Sequence, residues 1–144
     1  MQQKKKQIVL DANVVISAII KPRGTASKAL EKPMRASSIL EPPRFAAELI
    51  EFTSRVEIGN KKALDPSRVS RLLKMMARSG VIKFATPAKK HHLCRDEKDN
   101  DCVDLAIEYC AVLLSGDADI LSLKETLLSH SVTVLSPGEL LEEA

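Results

Sequence analysis

The stretch Ile8-Val-Leu-Asp11-Ala-Asn13 decides the fold, and Leu113-Leu-Ser-Gly-Asp117-Ala-Asp119 repeats its form near the other end of the chain. Each begins with apolar residues typical of a buried strand and continues into acids where that strand would end. An open parallel sheet has its ligand crevice at the carboxyl ends of its strands, so acids at two such ends converge. Converging carboxylates repel one another, and a divalent cation is the usual compensation. The two stretches therefore predict a site for a hard metal ion, and such sites usually act on phosphate groups.

A third acidic cluster, residues 95–101, lies between these two stretches in the chain. Its acids are Asp96, Glu97, Asp99 and Asp101, and they precede apolar residues at helical spacing (Cys102, Val103, Ala106, Ile107 and Cys110). We expect a helix to begin near Asp101, with Asp99 just ahead of it, where the helix dipole and free N–H groups favour a carboxylate. Helix capping accounts for one of these acids, and the cluster therefore has more acids than capping requires.

The rest of the chain alternates between strand and helix patterns. We predict strands at residues 8–10, 37–40, 81–84, 112–115 and 132–135. We predict helices at residues 13–20, 25–32, 42–55, 66–79, 101–110 and 120–128, with a short terminal helix from 137. Asp65 with Pro66 opens the fourth of these helices and Gly80 closes it. Alternation of this kind predicts an α/β fold with three layers, α/β/α, around a parallel sheet of four to five strands.

Composition and charge limit the class of protein and of partner. A chain of 144 residues that is 44% hydrophobic and 28% charged is expected to form one domain, residues 1–144. No apolar run has the length of a membrane span, so we expect a cytoplasmic protein without a membrane partner. Residues 1–95 hold 20 Lys and Arg against 7 acids, whereas residues 96–144 hold 2 against 12. Acids grouped at a metal site, with bases around them, suit a polyanionic substrate.

Together these blocks resemble the PIN domain family, the metal-dependent nucleases that include the toxins of many bacterial and archaeal toxin–antitoxin pairs. The resemblance runs almost end to end, through residues 9–18, 95–106, 114–121 and 134–141. Ala12 stands where the family usually has Thr, and Glu97 stands where it usually has Pro. Ala12 removes a hydroxyl near the metal but no ligand, so we expect it to tune activity rather than abolish it. Glu97 adds negative charge at the rim of the site.

The resemblance implies that the catalytic acids are Asp11, Glu48, Asp99 and Asp117. We expect Asp11, Asp99 and Asp117 to bind metal and Glu48 to bind a second ion or to position the attacking water. Taken alone, Glu48 is a helical glutamate at the margin of an apolar face, so its role depends on the resemblance. The residues expected to support the metal ligands are Asn13, Ser115 and Asp119.

The expected function is hydrolysis of RNA phosphodiester bonds by metal-activated water, with one or two Mg²⁺ or Mn²⁺ ions and no covalent intermediate. The resemblance implies products with 5′-phosphate and 3′-hydroxyl ends. It also implies a toxin role, with a cognate antitoxin protein and a second copy of the chain as candidate partners. Weaker candidates for contact with RNA phosphates are the basic loop residues Lys21, Arg23, Lys89, Lys90 and Arg95.

The sequence leaves two related alternatives open. One is a PIN-like module that binds RNA or protein with little or no catalysis, and the other is an RNA-processing nuclease without an antitoxin. Two further interpretations are disfavoured. A zinc site at His91, His92 and Cys94 lacks a second pair of ligands at the usual spacing. A haloacid-dehalogenase-type phosphatase needs a second Asp where this chain has Asn13.

Overall fold

A five-stranded parallel sheet forms the centre of the computed structural model, which describes residues 7–36, 39–55, 57–58, 61–62 and 65–142. The strands are β1 (Ile8–Leu10), β2 (Ile39–Glu41), β3 (Glu57–Ile58), β4 (Lys61–Lys62), β5 (Ile82–Phe84), β6 (Val112–Leu114) and β7 (Thr133–Leu135). The sheet has the order β5-β2-β1-β6-β7, while β3 and β4 form a separate antiparallel pair.

The order of the strands reverses beside β1, and this places the crevice of the sheet. The chain builds outward from β1 through β2 to β5, then returns to the other side of β1 with β6 and β7. In open α/β sheets, ligands bind outside the carboxyl ends of the strands at such a reversal. Because Leu10 pairs with Leu114, β1 and β6 end at the same level, and the residues that follow them lie side by side.

Helices cover both faces of the sheet. They are α1 (Ala12–Ile20), α2 (Thr25–Ala36), α3 (Pro43–Arg55), α4 (Pro66–Ser79), α5 (Glu97–Tyr109), α6 (Ala118–Leu121), α7 (Lys124–Leu128) and α8 (Pro137–Glu142). Successive strand residues point to opposite faces, so Leu10 joins a core with Phe45 and Leu49, while Val9 joins a second core with Val103. The predicted three-layer α/β/α fold with a parallel sheet is confirmed.

The structure refines several predicted boundaries. Strand residues 39 and 40 are confirmed, whereas Ser37 and Ser38 lie outside the described residues. The predicted helix at 120–128 is instead two short helices, α6 and α7. The first of them ends at Leu121, and Oγ of its C-cap Ser122 donates to the carbonyl of Asp119. The predicted caps of α4 are confirmed: Asp65 accepts from the N–H of Ser67, and Gly80 ends the helix.

One predicted helix start was wrong, and the correction changes the position of Asp99. The helix expected to begin near Asp101 begins at Glu97, because the side chain of Asp96 accepts from the N–H of Lys98 and caps it. Asp99 therefore lies within the first turn of α5 rather than ahead of it.

Within the described part of the chain, none of the helices combines the length and the apolar character that a membrane span requires.

Candidate active site

Two neighbouring strand ends are joined through one serine. Asp11 follows β1, and its Oδ2 accepts a hydrogen bond of 2.8 Å from Oγ of Ser115, which follows β6. The same Oγ accepts a hydrogen bond of 3.0 Å from the N–H of Asp117. Ser115 thus fixes the Asp11 side chain and the Asp117 backbone at once, and the crevice between β1 and β6 has a carboxylate on each side.

Asp11 also caps α1, and one carboxyl group can cap a helix and still face the site. Its Oδ1 accepts from the N–H of Asn13 at 3.1 Å, and the side chain of Asn13 is exposed. Burial raises the pKa of the Asp11 carboxyl; the hydrogen bonds from Ser115 and Asn13 oppose that rise, and the charge of Asp117 adds to it. A buried carboxylate with this much negative charge beside it is one that a cation would stabilise.

Asp117 has a similar dual position at the start of α6. Its Oδ1 accepts from the N–H of Asp119 at 2.8 Å, which caps this short helix. Its second carboxylate oxygen accepts no hydrogen bond within the described residues. The side chain of Asp119 is exposed, so Asp119 contributes to the site through its backbone.

Asp99 approaches the same crevice from α5. The start of α5 is anchored by the buried side chain of Asn100, whose Oδ1 accepts from the N–H of Cys94 at 2.9 Å. Burial raises the pKa of Asp99 to about 6, and the charges of Asp11 and Asp117 are the next largest causes. Since charges act strongly only at short range in a protein, the three aspartates form one electrostatic cluster.

Glu48 joins the cluster from α3. Phe45 and Leu49 are buried and fix the helix, which leaves Glu48 half-buried at the edge of the apolar face. Burial raises the pKa of Glu48, the nearby Arg44 lowers it, and Asp11 raises it. Asp11, Glu48 and Asp117 therefore all lie within electrostatic range of Asp99.

Glu41 is a fifth acid, and it was not predicted from the sequence. It ends β2 and is fully buried. Burial raises its pKa well above the usual value, the N–H of Leu10 opposes the rise, and Asp11 and Glu48 add to it. Glu41 directly follows the apolar pair Ile39-Leu40, which repeats the strand-end pattern of Asp11. The two prolines after it indicate a helix start, so this position was not predicted to belong to the site.

The basic residues around the acids are also partly different from those expected. Arg44 makes a 3.5 Å ion pair with Asp101, and both Arg44 and Lys98 act on Glu48. Neither was selected from the sequence, because a base on a helix surface carries no local signal. Both lie at the rim of the cluster.

The five expected basic residues occupy different places. Lys21 is the C-cap of α1, about 15 Å along the helix from Asp11, and Arg23 lies two residues further on. Lys89 and Lys90 follow Ala88, whose N–H donates to Glu108 on the last turns of α5. Arg95 directly precedes the cap of α5 and is therefore the nearest of the five to Asp99 along the chain.

The donor set suits a hard divalent cation, although it does not encircle one as it stands. In residues 7–36, 39–55, 57–58, 61–62 and 65–142, no three carboxyl, imidazole or thiol groups come close enough to hold an ion. The chemistry fits nonetheless: the acids are all oxygen donors, they repel one another, and Oε2 of Glu41 is buried without a hydrogen-bond partner. Mg²⁺ and Mn²⁺ prefer such oxygen ligands and keep several waters, so they do not require a closed protein cage.

A large apolar cavity is lined by none of the four acids. It has a volume of about 700 Å³ and is lined mostly by apolar residues of α1, α2, α3 and α4. A smaller crevice of about 210 Å³ opens beside Asn13, Ser17, Gly116 and Asp117. Of the four expected acids only Asp117 lines this smaller crevice, which therefore borders the acidic cluster.

The thiol Cys94 does not support the zinc interpretation. Burial raises its pKa to about 12, with further contributions from Asp99 and Asp104, and among the described residues no three candidate ligands come close enough to hold an ion. Zinc binds the thiolate form.

Two comparisons with known proteins show the family of this chain. The family model described as "PIN domain" matches residues 7–119. The chain is 31% identical over 158 aligned residues to "Uncharacterized protein MJ1680" of Methanocaldococcus jannaschii, an alignment that covers 99% of this chain and 94% of that protein. The matched residues include Asp11, Glu48, Asp99 and Asp117. The chain therefore belongs to the PIN domain family.

Proposed function

We propose that this protein is a metal-dependent endoribonuclease that hydrolyses phosphodiester bonds in the crevice between β1 and β6. The observation that carries the proposal is the junction of two strand ends at Ser115, whose Oγ donates to Asp11 and accepts from the N–H of Asp117. The charge of Asp11 acts in turn on both Asp99 and Glu48. A fold that needed these acids only as caps would have no reason to bring them together. Their mutual repulsion is a cost that a cation removes.

The residues have distinct roles in this proposal. Asp11, Asp99 and Asp117 would hold a divalent cation, and Glu48 would hold a second one or orient the attacking water. Ser115 keeps Asp11 and the backbone of Asp117 in register through its two hydrogen bonds. A bound Mg²⁺ or Mn²⁺ would supply neutralisation of the phosphate charge and a lowered pKa of water.

The substrate class follows from charge and composition. Arg44 and Lys98 lie at the rim of the acids, and Arg95 precedes the cap of α5, so a phosphate backbone has cationic partners beside the site. The chain has three Phe, one Tyr and no Trp, which leaves little for base stacking. Recognition would therefore depend on phosphate contacts and RNA shape.

The direct test is cleavage of a mixed RNA pool by the purified protein with Mg²⁺ or Mn²⁺. We expect cleavage by the wild type and its loss both with EDTA and in Asp99→Asn. The matched control is Glu125→Gln, which removes an exposed acid on α7 and should cut normally. Cleavage that survives Asp99→Asn would contradict the site, and a wild type that binds RNA but never cuts it would favour the binding-module alternative.

A toxin role within this function is a separate proposal, supported by the family membership. A toxin requires that the nuclease act on RNA whose loss stops growth. Induced expression of the wild type should then arrest growth, whereas Asp99→Asn at the same protein level should not. Normal growth with a demonstrably active nuclease would favour the RNA-processing alternative.

A further inference from the structure

Helix α4 carries charge of a single sign, unlike the helices beside it. Residues 66–79 contain four cations and no acid, and the cations are Arg68, Arg71, Lys74 and Arg78. Surface helices are stabilised by opposite charges one turn apart, and both α2 and α3 contain such an ion pair. The charge pattern of α4 is therefore not that of an ordinary solvated helix.

The buried side of α4 determines which side chains face outward. Val69 and Leu73 are buried in the core on this face of the sheet. Five exposed side chains on the outer side line a shallow crevice of about 480 Å³, and they are Arg71, Lys74, Met75, Arg78 and Ser79. Seven residues make two helical turns, so Arg71 and Arg78 lie on one face, about 10.5 Å apart along the axis, with Lys74 between them. We call Arg71, Lys74, Met75 and Arg78 the α4 basic face.

The cations of the α4 basic face have no acidic partner in the described part of the chain. None of the ion pairs there includes Arg71, Lys74 or Arg78. Nε of Arg71 donates to the carbonyl of Ser67 at 3.4 Å, and its terminal nitrogens remain available to an anion. The helix cap Asp65 accepts its hydrogen bonds from Ser67 instead. Like charges three and four residues apart destabilise a helix, and a bound polyanion would remove that cost.

RNA is the polyanion that this face fits best. Arginine binds phosphate through two parallel hydrogen bonds and lysine binds it as a point charge. A membrane surface requires a continuous apolar stripe, whereas the large apolar side chains that α4 exposes are Leu72 and Met75, set among the cations. An acidic protein segment would match the charge, but RNA is the polyanion that the proposed function already requires.

The α4 basic face lies one helix away from the acids. α4 packs against α3, and α3 carries Glu48 and Arg44. RNA held on α4 is therefore retained beside the acidic cluster rather than within it. The acids repel a phosphate backbone as long as no cation is bound, so a separate cationic surface would supply the affinity that the acids cannot.

We propose that the α4 basic face is a second RNA-binding surface, which holds the phosphate backbone of the substrate outside the acidic crevice. The inference rests on the proposed function, because it takes the RNA substrate as the polyanion. It deepens that function by separating two tasks: the acids cut the strand, and α4 retains it.

The test is binding of a fluorescein-labelled single-stranded RNA of mixed sequence to the purified full-length chain, followed by fluorescence anisotropy in EDTA at several KCl concentrations. The variant combines Lys74→Gln with Arg78→Gln. We expect it to bind at least about tenfold more weakly at about 0.1 M KCl. The slope of log affinity against log salt concentration should become shallower by about 1.4, because each phosphate contact to a single strand contributes roughly 0.7.

The matched control combines Lys28→Gln with Lys32→Gln. It removes two exposed lysines that are also four residues apart, but on α2, and it should change neither the affinity nor the slope. Urea unfolding of both double variants reports whether they are folded. Equal weakening by the two double variants would show a general effect of net charge and would overturn the α4 surface.

A second measurement uses the wild type alone. RNA should protect Lys74 from acetylation by an N-hydroxysuccinimide ester, while Lys32 is modified as fast as in the free protein, and mass spectrometry gives both rates. A Lys74 that is acetylated equally fast with RNA, or a wild type that binds no RNA, would overturn the surface. Stronger protection by polyglutamate than by RNA would also overturn it, in favour of an acidic protein partner. A wild type that shows the α4 protection but cuts no RNA in Mg²⁺ or Mn²⁺ would overturn the proposed nuclease and leave this surface standing.

Discussion

Ser115 is the residue on which the geometry of the site depends most. Its fully buried hydroxyl donates to Asp11 and accepts from the N–H of Asp117, so it joins the ends of two strands that lie far apart in the chain. Within the described residues, Ser115 is the side chain that hydrogen-bonds to both Asp11 and Asp117. A change at Ser115 therefore reaches two proposed metal ligands at once.

We predict that Ser115→Ala destabilises the protein by about 1–3 kcal/mol, because it leaves the part-buried N–H of Asp117 and a buried oxygen of Asp11 without this partner. RNA cleavage should fall with it. Urea unfolding gives the free energy of unfolding. The control is Ser129→Ala, which removes an exposed hydroxyl that bonds only to the carbonyl of Thr126. Equal unfolding midpoints for the two variants would contradict the role given to Ser115.

The pKa of Asp99 predicts how stability depends on pH in the absence of metal. Folding raises this pKa from 3.8 to about 6, so between these pH values the folded chain keeps a proton that the unfolded chain has lost. Stability from this group therefore falls as pH rises from about 4 to about 6 and is level above that. Measured in EDTA by urea unfolding, the wild type should lose stability relative to Asp99→Asn across this range. A difference between the two that stays constant from pH 4 to pH 7 would contradict the shift.

The residues of the site differ in how far the sequence reveals them. Asp11 and Asp117 follow apolar strands, and because parallel strands end at one edge, their meeting is predictable. Glu48 lies on a helix, where only the family resemblance selected it. Glu41 had the same strand-end pattern as Asp11 but was hidden by Pro42 and Pro43. The Oε2 of Glu41 is buried without a hydrogen-bond partner, and only the packing around it reveals this.

At the scale of elements, helix ends were predictable where a side chain or glycine determines them. The caps of α4 at Asp65 and Gly80 were predicted correctly because both residue types have strong preferences at those positions. The start of α5 was misplaced because the residues from 96 to 101 offer several competing caps. Asp96 is the cap in a structure where the N–H of Cys94 donates to the side chain of Asn100. Such a tertiary contact has no local signal in the sequence.

Two glycines give a matched prediction about backbone conformation. Gly80 has a φ of +83°, which L-residues rarely adopt, whereas Gly116 has an ordinary φ and open space around its Cα. We predict that Gly80→Ala costs about 1 kcal/mol and that Gly116→Ala costs little. Thermal unfolding of both variants tests this. Equal melting temperatures would contradict the assigned ends of α4, and Gly116→Ala as the less stable variant would contradict the turn after β6.

At the scale of the whole molecule, the charge is divided so that most acids follow residue 95 and most bases precede it. The fold brings acids from both halves together at the crevice, since Asp11, Glu41 and Glu48 come from the basic half. This convergence stores repulsion in the folded state. The unfolded chain, in which the acids are separated, lacks it.

A divalent cation should therefore stabilise the whole protein. At ten times its dissociation constant, Mg²⁺ that binds only the folded chain adds about 1.4 kcal/mol, which corresponds to about 5 °C in melting temperature for a chain of this size. The control is NaCl at equal ionic strength. Asp11→Asn keeps the capping oxygen of α1 but loses the charge, and it should lose most of the rise. An equal rise with NaCl would show that only general screening is at work.

The most direct test of the central claim is the chemistry of the cut itself. The wild type should be incubated with one defined RNA and Mg²⁺ in ¹⁸O-labelled water, and the product ends analysed by mass spectrometry. Attack by water at this acidic site predicts one ¹⁸O atom in each new 5′-phosphate, a 3′-hydroxyl on the other fragment and no products in EDTA. Products with 2′,3′-cyclic phosphate ends, or the same cleavage in EDTA, would contradict metal-dependent hydrolysis by these acids.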